Sequence, residues 1–292
     1  MPAPPDISHK HNTEKAMNSA TLSTTRPITR PSADSRGSFT NALRSEWFKL
    51  ATLRSTHLTL GLGLLLSLAT SAVVCVALGS TQDDWSPDFS PITTSMVGMI
   101  FGLIIYSVFG VMTVSREYAN GTIRVTLTAN PDRRRVFLAK LTLVSATIMV
   151  FGLLTTTSMF LASQAILGAY GMPTASLTDP DAARMVLGLG LVMPFFPIMG
   201  LAFGMLLRST AGGITTVLGL LWLPQIFGEL VPLWFQEHVL SLLPSNGLDS
   251  VTIGHIEPSP AFSHPILGGL IAGTWLVVVV GAAYLAFLRR DA

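Results

Sequence analysis

Long apolar runs alternate with short polar segments along most of this chain, and six of the runs are long enough to form membrane-spanning helices. A helix that crosses the hydrocarbon core of a bilayer, about 30 Å thick, needs about 20 apolar residues. The six predicted spans cover residues 58–78, 92–114, 141–168, 185–207, 212–231 and 265–288. The pattern therefore predicts an all-α integral membrane protein with six transmembrane helices.

A shorter amphipathic run precedes the first predicted span. Its apolar positions recur every three or four residues and form one helical face: Phe39, Leu43, Trp47, Leu50 and Leu53. Its charged residues lie on the opposite face: Arg44, Glu46 and Lys49. Ser38 is a suitable N-cap. We expect a helix over residues 39–56 that lies in the cytoplasmic membrane interface. A soluble amphipathic lead-in is less favoured because the first span follows almost directly.

The first 38 residues differ in composition from the rest of the chain. They are rich in Ser, Thr, Pro and charged residues, and they contain no apolar window. Such a segment buries too little surface to fold alone. A signal peptide would need an apolar segment behind its basic residues, and none occurs before about His57. We expect a disordered cytoplasmic tail over residues 1–38 and a transmembrane domain over residues 39–292.

The charged residues support a bilayer environment and predict an orientation. Only 12% of the 292 residues are charged, whereas soluble domains contain about 25%. In a six-span arrangement, 17 of the 18 Lys and Arg residues fall on one side, and only Arg184 falls on the other. Lys and Arg concentrate in cytoplasmic loops. We therefore expect a multi-pass protein of the plasma membrane whose two termini face the cytoplasm.

Several kinds of chemistry have no signature in the sequence. No residue near the middle of a predicted span is ionisable, which disfavours an ion-coupled pump; Glu229, near the outer end of span five, is a marginal exception. The chain has no Gly-Lys pair and hence no P-loop, so any ATPase that drives transport must be another polypeptide. The loop residues His238, His255, Glu257 and His264 match no compact zinc motif. We expect no catalytic residue, no bound metal or cofactor, and no enzymatic activity.

The densest internal cluster of basic residues lies between spans two and three, at 115–140. Asn120-Gly121 is a helix-stop signal, and Thr122 is suited to cap a short helix after it. Asn130-Pro131-Asp132 is a second start signal, with Asn at the N-cap and Pro at the first helical position. The segment therefore predicts a helix end, a short helix and the start of a new helix.

This segment, EYANGTIRVTLTANPDRRRVFLAK, closely resembles the loop after the second span in ABC-2-type transporter permeases. The matching positions are Glu117, Gly121, Thr122, Leu127, Pro131, Arg135 and Lys140. The rest of the chain fits the same family, with an amphipathic helix before six spans and a Pro-interrupted outer segment between spans five and six. LPSNGLDS at 243–250 also resembles that outer segment. The resemblance extends from about residue 39 to the end.

The resemblance implies the membrane subunit of an ATP-driven exporter. In such permeases the loop contains a coupling helix that docks on a separate cytoplasmic ABC ATPase, which binds ATP and Mg²⁺, and two permease copies form a homodimer or heterodimer. Glu117 would interact near the base of the bundle, or would simply neutralise Arg116 or Lys140. The three arginines 133–135 would pair with acidic groups on the ATPase, or would contact lipid headgroups as topology determinants. No nucleic-acid partner is expected.

Two proline-containing regions leave alternatives open. Pro194, Pro197 and Gly200 permit a kink in span four, which would shape a substrate path or serve local packing. The segment between spans five and six would, by resemblance, dip into the outer leaflet and help to form an external gate. The other interpretation is an ordered surface helix with Trp234 as an interface anchor.

A pathway lined by uncharged side chains indicates an amphipathic or lipophilic cargo, such as a drug, an antibiotic or a lipid. The alternative is an ATP-independent secondary transporter or another polytopic membrane protein. The lack of ionisable residues within the spans and of visible inverted repeats counts against that alternative.

Overall fold

A computed structural model describes residues 38–81, 89–129, 131–254 and 259–289. The expectations for the tail before Ser38, for Asn130, and for His255 and Glu257 concern residues outside these ranges. The side chain of Glu229 also lies outside the description. Within the described ranges, every regular element is a helix.

Twelve α-helices occur in the described ranges, numbered here in chain order. They are α1 (Phe39–Thr52), α2 (Arg54–Thr81), α3 (Pro91–Ser95), α4 (Met99–Ala119), α5 (Thr122–Ala129), α6 (Arg133–Ala169), α7 (Pro180–Val192), α8 (Phe195–Leu207), α9 (Thr210–Phe227), α10 (Leu233–His238), α11 (Pro244–Thr252) and α12 (Pro265–Arg289). Two short 3₁₀ turns, Gly228–Leu230 and Leu240–Leu242, flank α10.

Six helical segments of the described chain are long and apolar enough to cross a membrane, which confirms the predicted number of spans. These segments are α2, α4, α6, α7 with α8, α9 and α12. The central pair α7–α8 is 67% buried over its apolar window, whereas α9 and α12 are only 22% buried. The core therefore lies around α4, α6 and α8, and much of the outer helices faces away from the protein.

The second span does not form the continuous helix predicted over 92–114. It is divided into α3 and α4, with residues 96–98 between them. A side chain at Gly98 would overlap the carbonyl oxygen of Ser67 on α2, so the backbone passes very close to that helix here. The Ser71 hydroxyl donates to the Ser95 carbonyl at 2.9 Å and accepts from the Gly98 N–H at 3.0 Å. These bonds satisfy backbone groups that the break exposes.

The break that the sequence permits in span four is present. The helix breaks between Val192 and Phe195, with Pro194 at the N-cap of α8. A side chain at Gly200 would lie 2.7 Å from the carbonyl oxygen of Ser107 on α4. The small residue therefore lets α8 and α4 approach to backbone contact.

Helix α1 faces the bundle with a small residue and a carboxylate. Its buried residues are Ala42 and Glu46, whereas the side chains of Trp47 and Phe48 are each 52% exposed. Glu46 and Arg44, which the sequence places on the same side of the helix, differ in burial: Glu46 is buried and Arg44 is exposed. A carboxylate faces the protein because it has cationic partners there, and the apolar face of the helix points outward.

Two helix boundaries near the basic segment and the fifth span differ from the predictions. Helix α6 begins at Arg133 and not at Pro131, because the Asp132 carboxylate forms the N-cap and accepts from the Arg134 N–H at 3.1 Å. The helix start predicted at Pro131 is therefore wrong, and Asn130 lies outside the described residues. Helix α9 tolerates Pro224 but ends at Phe227, four residues before the predicted end of span five.

Candidate functional site

Four charged side chains meet at one end of the bundle: Glu46, Lys49, Glu117 and Lys140, called here the four-charge cluster. Lys140 on α6 lies at its centre, with its side chain only 3% exposed. Its Nζ donates to Glu46 Oε2 at 2.7 Å and to Glu117 Oε1 at 2.6 Å. One buried cation thus joins α1, the end of α4 and the first turns of α6.

Lys49 extends the cluster to the short helix α5. Its Nζ donates to Glu46 Oε1 at 2.7 Å and to Glu117 Oε1 at 3.1 Å. The third donated bond goes to the Thr126 hydroxyl at 3.1 Å. Two carboxylates and two ammonium groups cancel in charge, which is the usual condition for burying ions. Four helices are therefore connected through one polar network.

The charges of the cluster stabilise one another. Burial acts to raise the pKa of Glu46, but the charge and hydrogen bond of Lys140, together with those of Lys49, outweigh it, so the pKa lies below its ordinary value. Burial acts to lower the pKa of Lys49, but the hydrogen bond and charge of Glu46, with those of Glu117, outweigh it and raise the pKa. The stability that Glu46 contributes is present above the ordinary pKa of a glutamate and is lost as the pH falls through its lowered pKa. The stability that Lys49 contributes is present below the ordinary pKa of a lysine and is lost as the pH rises through its raised pKa. Both contributions are present at neutral pH.

Helix α5 is held against the bundle by one face and exposes the other. Gly121 ends the preceding helix with a φ of +67°, a left-handed conformation that favours glycine. Ile123 is 3% exposed and Leu127 is half-buried, and both pack against the core. Val125, on the other face, is 68% exposed. The structure thus presents an eight-residue helix with an outward-facing apolar side chain at the end of the bundle that holds the four-charge cluster.

A cavity of about 420 Å³ lies beside the cluster. Its walls come from α1, the first turns of α2, the end of α4, α5 and α6. Arg116 lines it and donates to the Ser55 hydroxyl at 2.8 Å. Glu117 Oε2 is buried and has no hydrogen-bond partner among the described residues. The cluster therefore borders a space that is polar on the side of α1 and α5.

The structure brings together only some of the seven residues that the sequence singles out. Glu117 and Lys140 form a direct ion pair, which agrees with the interpretation that Glu117 neutralises a neighbouring cation. Thr122 begins α5 and lines the cavity. The other four lie around α5: Gly121 in the turn before it, Leu127 on its packed face, Pro131 exposed after it, and Arg135 paired with Asp132 at 2.9 Å.

Sequence reasoning missed two members of the cluster, Glu46 and Lys49. Both belong to the amphipathic run, where charged residues are ordinarily solvated. Their spacing of three residues is the available signal, since opposite charges at that spacing meet on one helical face.

The basic residues around the cluster have partners within the protein. Arg133 donates to the carbonyl oxygen of Phe287 near the end of α12 at 3.1 Å. The Arg208 guanidinium lies over the Tyr118 ring, 5.2 Å from its centre. The first contact joins the start of α6 to the end of α12, and the second joins the residue after α8 to the end of α4. The cationic ends of the helices thus share one end of the bundle, while Arg134 is exposed there.

Comparison with known proteins identifies the family. A family model described as "ABC-2 family transporter protein" matches residues 42–222. That range contains the four-charge cluster, α5, the first four candidate spans and most of the fifth. No curated protein shows a significant match to the chain. Because the family model matches more than half of the 292 residues, this protein belongs to the ABC-2 transporter family and is a multi-pass membrane permease.

Proposed function

We propose that this permease is the membrane subunit of an ATP-driven exporter and that α5 is its coupling helix. In this proposal a separate cytoplasmic ABC ATPase, which binds ATP and Mg²⁺, docks on the exposed face of α5. Two permease copies form the pathway, both termini face the cytoplasm, and α1 lies in the cytoplasmic interface of the plasma membrane. The cargo is an amphipathic or lipophilic molecule, such as a drug, an antibiotic or a lipid. No catalytic role is assigned to this chain.

The observation that carries the proposal is the connection of α5 to the spans through the four-charge cluster. Thr126 on α5 accepts from Lys49, and Lys49 shares Glu46 and Glu117 with the buried Lys140. A displacement of α5 by a docked partner would therefore act on α1, α4 and α6 together. Packed elements joined by polar networks transmit such displacements when the network has two arrangements.

Replacing Val125 with aspartate is expected to reduce co-purification of the co-expressed ATPase at least tenfold. Val125 is 68% exposed on α5, so the new carboxylate would place an unpaired charge in the docking interface without disturbing the core. The measurement is affinity purification of the tagged permease, followed by quantification of the bound ATPase.

The matched control is Leu177→Asp, the same chemical change at a partly exposed site in the segment between α6 and α7. This variant should retain the ATPase. Unchanged co-purification with Val125→Asp and Arg124→Glu combined would refute the assignment of α5 as the docking helix. Loss of the ATPase from both Val125→Asp and the control Leu177→Asp would indicate a general defect. That result would also contradict the assignment of α5 as the docking helix.

The proposed orientation is tested by labelling single introduced cysteines in intact cells. Cys75 is buried in α2, so it contributes little background. Thr178→Cys, between α6 and α7, is expected to react with a membrane-impermeant maleimide, and Ser38→Cys is expected to react only after the cells are opened. The opposite pattern would place the four-charge cluster and α5 outside the cell and would exclude a cytoplasmic ATPase as their partner.

ATP dependence separates this proposal from the alternative of a secondary transporter. Proteoliposomes that contain the permease and its ATPase should move a lipophilic probe only when ATP is hydrolysed. Transport by the permease alone, driven by an ion gradient, would favour the alternative.

A further inference from the structure

A second cavity, of about 510 Å³, lies at the end of the bundle opposite the four-charge cluster; we call it the distal cavity. Helix α3, the start of α4, the middle and end of α7, the start of α8, the end of α9 and helix α11 form its walls. Its volume is within the range of about 300–1,000 Å³ that is usual for small-molecule sites. Most of its lining is apolar and includes Met96, Met99, Met185, Phe196 and Trp222. Methionine side chains adapt to ligands of irregular apolar shape, and aromatic faces attract cations.

One carboxylate interrupts this apolar wall. Asp249 on α11 lines the distal cavity, and its Oδ2 accepts a bond of 3.2 Å from the amide of Gln225 on α9. Among the described residues that line the cavity, Asp249 is the only ionisable one. Its charge is therefore opposed by an amide dipole, and no cationic side chain shares the wall.

A second polar group of the same helix, Ser245, lines the cavity without a hydrogen-bond partner among the described residues. Ser245 is one helical turn before Asp249, is only 3% exposed, and lines the same cavity. Its hydroxyl has no hydrogen-bond partner within the described part of the chain. Buried hydroxyl groups without a partner are uncommon in native proteins. Two adjacent polar groups of α11 are thus available to a ligand.

Burial raises the pKa of Asp249 to about 7, and only the bond from Gln225 acts in the opposite direction. Within the described part of the chain, the helices packed against α11 place no charged side chain in the cavity wall. Helix α7 has Asp181 and Arg184 near its start, α9 has none, and α12 has Arg289 at its far end with His264 just before its start. None of these residues lines the cavity. A bound cation would therefore supply the missing counter-charge.

We propose that the distal cavity binds a lipophilic organic cation, with Asp249 as its counter-ion and Ser245 and Gln225 as polar contacts. This inference rests on the proposed function, because it gives the charge class of the exported cargo. It also narrows that function, since anionic lipids and neutral compounds lack the charge that the site requires. Both Ser245 and Asp249 lie beyond residue 222, outside the range that the family model matches.

The test compares ions of the same shape and opposite charge. Radiolabelled tetraphenylphosphonium is titrated against the full-length chain in lipid nanodiscs, with empty nanodiscs as the blank. We expect saturable binding at pH 8 that weakens about tenfold at pH 6, because only the ionised fraction of Asp249 is competent to bind. Tetraphenylborate, the anionic analogue, should not compete. Competition by tetraphenylborate, or binding that does not change with pH, would overturn the proposal.

Substitutions in the distal cavity identify the side chain that binds the cation. Asp249→Asn should weaken binding at pH 8 at least tenfold and abolish its pH dependence, and Ser245→Ala should weaken it about threefold. The matched control is Asp181→Asn, an exposed carboxylate at the start of α7 outside the cavity, which should bind as the parent does. Equal binding by Asp249→Asn and the parent would refute the role of Asp249.

The assay also separates this inference from the proposed function. Binding to nanodiscs needs neither the ATPase nor ATP. If tetraphenylphosphonium fails to bind while the ATPase still co-purifies through α5, the charge class of the cargo is wrong and the exporter assignment stands. If binding follows the expected pattern and Val125→Asp leaves the ATPase in place, the assignment of α5 fails and the cation site stands.

Discussion

Replacing Lys140 with methionine is expected to destabilise the protein by about 3–5 kcal/mol, the range found when one partner of a buried ion pair is removed. The Lys140 side chain is 3% exposed and is the shared partner of Glu46 and Glu117, whose side chains are 7% and 13% exposed. Without it, two largely buried carboxylates would share Lys49, which is 39% exposed. Methionine matches the length of the lysine stem, so the variant removes mainly the charge.

Thermal unfolding of the purified chain measures this effect. For a domain of this size, the loss corresponds to a fall in Tm of about 10 °C. The control is Arg134→Met, which removes an exposed cation from the same helix and should change the unfolding free energy by less than about 0.5 kcal/mol. Similar Tm values for the two variants would show that the cluster does not hold α1, α4 and α6 together.

A second substitution separates charge from volume. If the cost arises from unpaired carboxylates, Glu46→Gln should recover part of the stability lost in Lys140→Met, and the two effects should not add. If the cost arises only from altered packing, the second change should add to the first. If the proposed function is correct, Lys140→Met should also reduce transport-linked ATP hydrolysis while the ATPase remains bound, because the α5 surface is unchanged.

The number of spans was predictable from the sequence because bilayer thickness sets the length of each apolar run, independently of how the helices pack. Helix boundaries were less predictable. Helix α6 begins at Arg133, where the Asp132 carboxylate accepts from the Arg134 N–H, and the interruption between α3 and α4 depends on a close approach to Ser67. Both features come from hydrogen bonds and contacts that hydropathy does not encode.

The candidate site was predictable only in the part that lies within one continuous segment. Glu117 and Lys140 occur in the loop motif that resembles the family pattern, and the structure pairs them. Glu46 and Lys49 are about 70 residues earlier in the chain, on a helix whose charges looked solvated. Their contribution depends on tertiary packing of α1 against α6, which the periodicity of one helix does not encode.

The distal cavity illustrates a different limit of the sequence. Its carboxylate lies on a short helix between spans five and six. From the sequence, this segment had two interpretations, one that dips into the outer leaflet and one that forms a surface helix. A hydropathy window records Asp249 as one charge in a loop. Only the fold brings it beside Gln225, Trp222 and the methionines of α3–α4 and α7. The environment of this carboxylate, and hence its expected preference for a cation, is a tertiary property.

Helix α4 is the structural element common to both sites. Its first turns line the distal cavity with Met99 and Leu103, and its last turns carry Glu117 in the four-charge cluster. Gly110 lies between them, where α4 crosses α8. A rigid helix that reaches both sites is a physical route by which events at α5 would alter the distal cavity.

Replacing Gly110 with alanine is therefore expected to affect both ends of the protein. The added methyl group would overlap the carbonyl oxygen of Pro197 on α8, and a backbone atom cannot rotate away as a side chain can. Overpacking of this kind typically costs about 1–3 kcal/mol, and the backbone obstacle favours the upper end. We expect a lower Tm, weaker binding of tetraphenylphosphonium and reduced transport-linked ATP hydrolysis.

The matched control is Gly61→Ala on α2, where an added methyl group would have no neighbour within 4 Å. Because alanine favours a helix over glycine by about 1 kcal/mol, this control should be neutral or stabilising, and the two identical substitutions should have opposite signs. Lys140→Met leaves the α4–α8 contact intact, so it should reduce ATP hydrolysis without weakening cation binding in the absence of the ATPase. If Gly110→Ala impaired only one of the two sites, the crossing of α4 and α8 would not be the element that connects them.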